Sequence, residues 1–216
     1  LKPSSPYILI SRVNALPGKL SILTEQIAAH DAASANKHAT FTAVDTDTVL
    51  ELTALDKLSQ LDEILAARVA MEKSVQHLLA CDWRHEVREH IEDVVPGKNC
   101  LSDSAMIELR TIEVKPTAYK EYRQWRQRTI YEAVKDREEI DDFRAYHSVL
   151  STEPGVLFLV GFSCDPDKYR LVYDNDRYRA ILREAGDRYI VQGLGGLQTT
   201  MFRRVAVEQT EQRVSA

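Results

Sequence analysis

Six histidines stand at His30, His38, His77, His85, His90 and His147. An imidazole titrates near neutrality, so a histidine beside a ligand can move a proton to or from a phenol or enol. His147 sits in Arg144-Ala145-Tyr146-His147-Ser148. Strand alternation groups it with Phe143, Ala145 and Val149, and groups Tyr146 with Arg144 and Ser148. One of these faces is expected to line a lumen. The plain alternative for His147 is a hydrogen-bonded core histidine. Glu108 and Arg110 share a strand face opposite Ile107 and Leu109. If the apolar pair faces helices, the charged pair points into the lumen, where each charge must be paired. Such a pair either orients a polar substrate or bridges two sheets. Upstream, His38, Thr40 and Thr42 share one face, as do Val49, Glu51 and Thr53, a second polar-lined surface. Threonines also suit strands for their own sake.

Other constellations carry less. In Asp82–His90, the pairs His85/Glu89 and Glu86/His90 are four apart. They would converge on a metal only in a helix, and the segment lies where helix should give way to strand. No H-E-x-x-H is formed, so no metal is expected there. No P-loop, G-x-S-x-G or G-x-G-x-x-G occurs. Gly193-x-Gly195-Gly196 is expected inside a terminal strand, as a bulge or close backbone approach. Eight of the nine tyrosines follow residue 118. Tyr119, Tyr122 and Trp125 read as helix-to-sheet packing, with an aromatic-lined pocket as the sharper alternative.

The elements that must position these residues appear twice. A strand over Tyr7–Val13 reaches Leu16-Pro17-Gly18-Lys19, and a helix follows with Leu20, Leu23 and Ile27 on one face. Downstream, Met106–Val114 alternates, reaches Lys115-Pro116-Thr117, and leads into the Tyr119/Tyr122/Trp125 helix. Strands His38–Asp45 and Thr48–Thr53, a helix carrying Leu58, Leu61, Leu65 and Val69 towards Trp83, and a strand Glu89–Val95 complete the first half. Strands Asp142–Leu150 and Val156–Ser163 are joined by Thr152-Glu153-Pro154-Gly155, a hairpin signal. Asp165-Pro166 reads as an N-cap with proline at the first helical position. Helical turns run through Tyr169–Tyr173 and Tyr178–Glu184, and the last strand is Tyr189–Val205.

Each half is therefore β-α-β-β-α-β, a ferredoxin-like unit. The first is expected over residues 1–97 and the second over 105–207, with 96–104 as linker. The second-half strand Val156–Ser163 is apolar on both faces, so its sheet must cover another sheet. The partner expected is the other half, forming a barrel whose lumen could hold a small molecule. A lumen filled by side chains would instead favour a binding or assembly protein.

Composition narrows the classes. The 216 residues carry a net charge of −5, which argues against a nucleic-acid partner. No run of about 18–20 apolar residues spans a membrane. No signal peptide is visible at the start, which opens on Leu1 rather than Met. Three unevenly spaced cysteines fit a reducing, cytoplasmic setting.

The segment Met106–Tyr122, with Ile-Glu-Leu-Arg-Thr-Ile-Glu-Val-Lys-Pro, resembles the opening of NIPSNAP-type and antibiotic-biosynthesis-monooxygenase-type domains of the dimeric α+β barrel superfamily. Asn175–Leu182 resembles the short helix late in that domain. The resemblance covers the second half by motif and the first by layout. It implies an α+β fold in which two units, usually on two chains, close a barrel within one. It further implies a cofactor-independent oxygenase or cyclase acting on an apolar, polycyclic aromatic natural-product intermediate of the polyketide kind. His147 would then be the base, Arg110 and Tyr146 the oxyanion donors, and Glu108 a positioning group. His38, Glu51, Arg144 and Phe158 would contact the substrate. Haem is the runner-up cofactor, with His77, His85 or His90 as ligands, and a non-catalytic small-ligand binder is the third reading. Fused barrels could pair further as a homo-oligomer.

Overall fold

A computed structural model describes residues 4–205 of the chain. The outer limits of the two expected units, residues 1–3 and 206–207, lie outside the described residues. The strands are β1 (Tyr7–Asn14), β2 (His38–Ala43), β3 (Thr48–Leu55), β4 (Arg84–Val95), β5 (Met106–Ile112), β6 (Asp142–Leu150), β7 (Val156–Phe162) and β8 (Leu197–Arg204). The helices are α1 (Leu20–Ala33), α2 (Leu61–Val75), α3 (Tyr119–Arg128), α4 (Ile130–Val134), α5 (Pro166–Leu171) and α6 (Asp176–Arg188). Tyr7 and Met106 open β1 and β5, and Leu20 and Tyr119 open α1 and α3, at the same offset as Pro17 and Pro116.

The eight strands close a barrel in the order β1-β3-β2-β8-β5-β7-β6-β4. Each half contributes four strands in the ferredoxin-like order, β4-β1-β3-β2 and β8-β5-β7-β6. The halves join where β2 pairs with β8 and β4 with β6, all antiparallel. Closure leaves no unpaired sheet edge. Three register shifts along β4 bend it around the barrel.

An eight-stranded barrel is just wide enough inside for side chains to fill. Ile8, Ile10, Phe41, Leu50, Leu52, Ile107, Leu109, Tyr146, Leu157, Leu159 and Phe202 form one buried cluster there. The middle of the lumen is thus packed, and Glu86 and Arg88, paired with Ile10 and Ile8 of β1, also face inward. A cleft of about 500 Å³ bordered by Arg12, Arg84, Glu86 and Glu153 reaches Ile10 and Phe202 of this cluster. The second apolar layer of β7, Val156, Phe158, Val160 and Phe162, faces the helices with Tyr122, Trp125, Tyr131 and Tyr169.

Several elements differ from the sequence expectation. Helix α2 buries Ile64, Arg68, Met71 and Val75, while Leu58, Leu65 and Val69 are exposed. Its inner face is rotated because Arg68 turns inward to reach Glu51. The helical stretch ends at Leu78, and β4 begins at Arg84, so the Asp82–His90 acids and histidines are mostly spread along a strand. The glycine run forms a short 3₁₀ turn over Gly193–Gly196 rather than part of a strand. A Cβ on Gly196 would lie 2.3 Å from the Val191 carbonyl oxygen, which explains glycine there. Asp165 does cap α5, accepting from the N–H groups of Asp167 and Lys168 ahead of Pro166 at the first turn.

Because the lumen is packed, Leu159→Ala should destabilise the protein by about 2–5 kcal/mol, the range for a buried large-to-small change. Urea unfolding monitored by circular dichroism measures it. A loss below about 1 kcal/mol would indicate a hydrated lumen.

Candidate active site

Strand pairing decides where each side chain points. Opposite one another on β6 and β7 stand Tyr146 and Leu157, and Arg144 and Leu159, so Tyr146 and Arg144 face the lumen. His147 pairs with Val156 and faces the helix layer with Phe143 and Ala145. Tyr146 and His147 therefore lie on opposite sides of one strand and cannot act on one ligand. On β5, Glu108 opposes Val160 and Arg110 opposes Phe158, so the charged pair faces the helices. This reverses the expected orientation. Ile107 and Leu109 join the aliphatic cluster of the lumen, whereas the helix layer supplies hydroxyl partners for the charges.

Those partners are tyrosines delivered by capped helices. Asp165 starts α5, which carries Tyr169, and Tyr173 follows one turn later. Asn175 caps α6 by accepting from the Tyr178 N–H at 2.9 Å. Arg110 donates through Nε and Nη2 to Glu108 Oε2 at 2.9 and 2.6 Å, and through Nη1 to the Tyr178 hydroxyl at 2.8 Å. The Tyr169 hydroxyl also donates to Glu108 Oε2. The guanidinium lies 3.7 Å from the centroid of the Tyr173 ring, a cation–π contact. Burial opposes the charge on Arg110, but Tyr173, Tyr178, Glu108 and Tyr169 hold its pKa well above that of an ordinary arginine. Burial likewise pushes the Tyr173 phenol up to about 12, with nearby Arg110 opposing it.

Beside this ionic cluster lies a cavity of about 190 Å³ between sheet and helices. Glu108, Arg110, Tyr173, Tyr178 and Thr199 give it one polar end. Ile112, Ile130, Phe158, Ile181 and Ile190 line the rest. Of the expected site residues, Glu108, Arg110 and Phe158 come together here. His147 does not line this cavity. Its ring packs edge-on against Tyr119 at 5.0 Å, near the far end of β6. Arg144 is fully buried and donates to the Cys100 and Asn99 carbonyls at 2.5 and 2.9 Å. It clamps the connection between the halves, and a Cβ on Gly97 would strike its Nη2 at 2.3 Å.

His38 and Glu51 also meet, under α1 and α2 of the first half. His38 Nδ1 lies 3.0 Å from Glu51 Oε1, and Arg68 of α2 donates to the same oxygen. The residues unforeseen from the sequence are Tyr169, Tyr173, Tyr178, Asp31 and Arg68. One signal was present for Arg68, a charge standing in the Ile64/Met71/Val75 stripe.

No known family profile matches the sequence. No curated protein matches it. Solved structures do match in shape. A candidate monooxygenase from Fusobacterium nucleatum superposes with a TM-score of 0.71 at 10% identity, covering 94% of each chain. An anthrone oxidase-like protein matches with a TM-score of 0.69 at 9% identity, covering 93% of this chain and 91% of that one. A candidate chlorite dismutase matches with a TM-score of 0.62 at 13% identity, over 94% of this chain and 96% of that one. Among the described residues no helix is long and apolar enough to cross a membrane.

Truncating one member of a buried ion pair strands the other, at a cost of about 3–5 kcal/mol, whereas apolar replacement of both is often near neutral. Glu108→Leu should therefore destabilise strongly, and Glu108→Leu with Arg110→Met should recover most of the loss. A double-mutant cycle in urea tests this, and equal losses for single and double variants would contradict it. At these identities the likeness is one of fold: the chain is a dimeric α+β barrel with both ferredoxin-like halves in a single polypeptide.

Proposed function

We propose that the protein is a cofactor-independent oxygenase for a small, mostly apolar phenolic molecule bound between the second-half sheet and its helices. The observation that carries this reading is the cavity with one buried guanidinium at its end, braced by Glu108 and tyrosine hydroxyls. An apolar chamber with a single fixed cation suits a ring system bearing one ionisable oxygen. The printed descriptions of the structural neighbours, a candidate monooxygenase and an anthrone oxidase-like protein, point the same way.

In this reading Arg110 holds the phenolate oxygen, and Glu108 positions the guanidinium and accepts the phenolic proton. Tyr178 stabilises charge developing on oxygen. The electron-rich phenolate itself reduces O₂, and the isoleucines and Phe158 keep water away from the reacting carbon. Donors fixed before the reaction need no reorganisation as charge moves, which is where their advantage over water lies. His147 and Tyr146 leave the mechanism, and Arg144 becomes a structural clamp.

Volume sets the substrate size. A dry cavity of about 150 Å³ accepts benzene, so about 190 Å³ suits one or two fused rings rather than a larger polycycle. Haem fits poorly here. No histidine, cysteine or methionine lines the cavity, and about 190 Å³ is too small for a porphyrin.

The test uses 1-naphthol and 1,4-dihydroxynaphthalene with purified protein in an oxygen electrode. Enzyme-dependent O₂ uptake should be abolished by Ile181→Trp, which fills the cavity. Arg110→Gln should lower it at least tenfold, with a circular-dichroism spectrum like that of the parent. His147→Ala should leave it unchanged. Uptake that survives Ile181→Trp, failure of both compounds to bind by calorimetry, or a Soret band on adding haem would each overturn the reading.

A further inference from the structure

The first half carries a second cluster that the proposed oxygenase site does not use. Asp31 at the end of α1, His38 on β2 and Glu51 on β3 are brought under the helices by the β2–β3 register, in which Thr40 faces Glu51 and His38 faces Thr53. Their side chains are 7%, 6% and 1% exposed. One ligand atom from each lies within 4.8 Å of the other two.

Asp31 and Glu51 each have one carboxylate oxygen engaged and the other buried without a partner among the described residues. Asp31 Oδ2 accepts from Thr40 Oγ1 at 2.5 Å, while Oδ1 is buried with no hydrogen-bond partner among the described residues. Glu51 Oε1 takes Thr53 Oγ1 at 3.0 Å and Arg68, while Oε2 is buried and unpartnered. His38 Nε2 lies 3.0 Å from Ser34 Oγ, and Nδ1 lies 3.0 Å from Glu51 Oε1, 3.1 Å from Thr53 Oγ1 and 3.6 Å from Asp31 Oδ1. Unpaired buried carboxylate oxygens are costly. Two carboxylates against the single guanidinium of Arg68 leave one negative charge uncompensated when His38 is neutral.

We infer that Asp31 Oδ1, His38 Nδ1 and Glu51 Oε2 form a binding site for one divalent first-row transition metal ion of the Zn²⁺ or Mn²⁺ type. One imidazole and two carboxylates without thiolate suit that class. Ser34, Thr40, Thr53 and Arg68 are the outer groups that orient the ligands. Metal–ligand bonds of about 2.0–2.2 Å set ligand atoms roughly 3–3.5 Å apart, close to the 3.0 Å and 3.6 Å that separate His38 Nδ1 from the Glu51 and Asp31 carboxylates. A cleft of about 500 Å³ bordered by Asp31, His38, Thr40, Asn36 and Arg204 reaches the cluster, so solvent or a further ligand can complete the coordination. The site is independent of the second-half cavity.

The experiment takes the full chain, stripped with EDTA and dialysed, and titrates it with Zn²⁺, Mn²⁺ and Co²⁺ by calorimetry and thermal melting. Expected is one saturable ion per chain, a raised melting temperature, and visible d–d absorption on loading Co²⁺. His38→Ala and Asp31→Asn should abolish binding, and Ser34→Ala, which leaves the ligands in place, should weaken it about tenfold. His77→Gln, at an exposed turn, should bind like the parent and so controls for surface histidines. Absence of saturable binding in the folded parent overturns the inference. So does stoichiometric binding that persists in both His38→Ala and Asp31→Asn. Should either of those variants fail to fold, an unchanged affinity in Ser34→Ala overturns it.

Discussion

Closure of the eight strands governs the rest of this molecule. A barrel of that size holds side chains and little else. Most strands send apolar residues inward, while β4 sends Glu86 and Arg88, which pair with each other there. Period-two alternation then sends every other residue into the layer beneath the helices. In those outer layers helices bring hydroxyls, a guanidinium or a carboxylate against the sheet. Glu108 and Arg110 lie outside the barrel wall for this reason, and so do His38 and Glu51.

The two halves solve the same packing problem with different groups. In the second, β5 supplies both charges and the helix side supplies tyrosine hydroxyls and a ring face. At the equivalent β1 positions stand Leu9 and Ser11, so no such pair forms in the first half. There the carboxylate comes from β3, the guanidinium from α2 and a second carboxylate from α1. The Glu51 carboxyl is held down to about 2: burial alone would raise it, and His38 and Arg68 outweigh burial. The two halves share their backbone order while the polar groups under their helices differ.

Much of the fold was legible in local pattern. The matched turns at Pro17 and Pro116, the hairpin at Pro154-Gly155 and the Asp165-Pro166 cap each follow from backbone chemistry within a few residues. Helix α2 was misread because Leu58, Leu65 and Val69 look as apolar as the true inner stripe. What turned the helix was a long-range ion pair from Arg68 to Glu51, which no local window contains. The candidate site was half legible. Strand alternation grouped Glu108 with Arg110, but their orientation and their tyrosine partners, 61 to 68 residues away in sequence, were not legible.

The sequence by itself determined the order of elements, their duplication, and which residues share a strand face, because periodicity and turn chemistry act over short distances. It could not determine which face looks inward. Both faces of β5 and β7 are buried, and the alternation is the same whichever way the sheet is turned. Only the tertiary structure decided that. Once the halves closed on each other, Ile107, Leu109, Leu157 and Leu159 joined the inner aliphatic cluster, and Glu108 and Arg110 met the hydroxyls of Tyr169 and Tyr178.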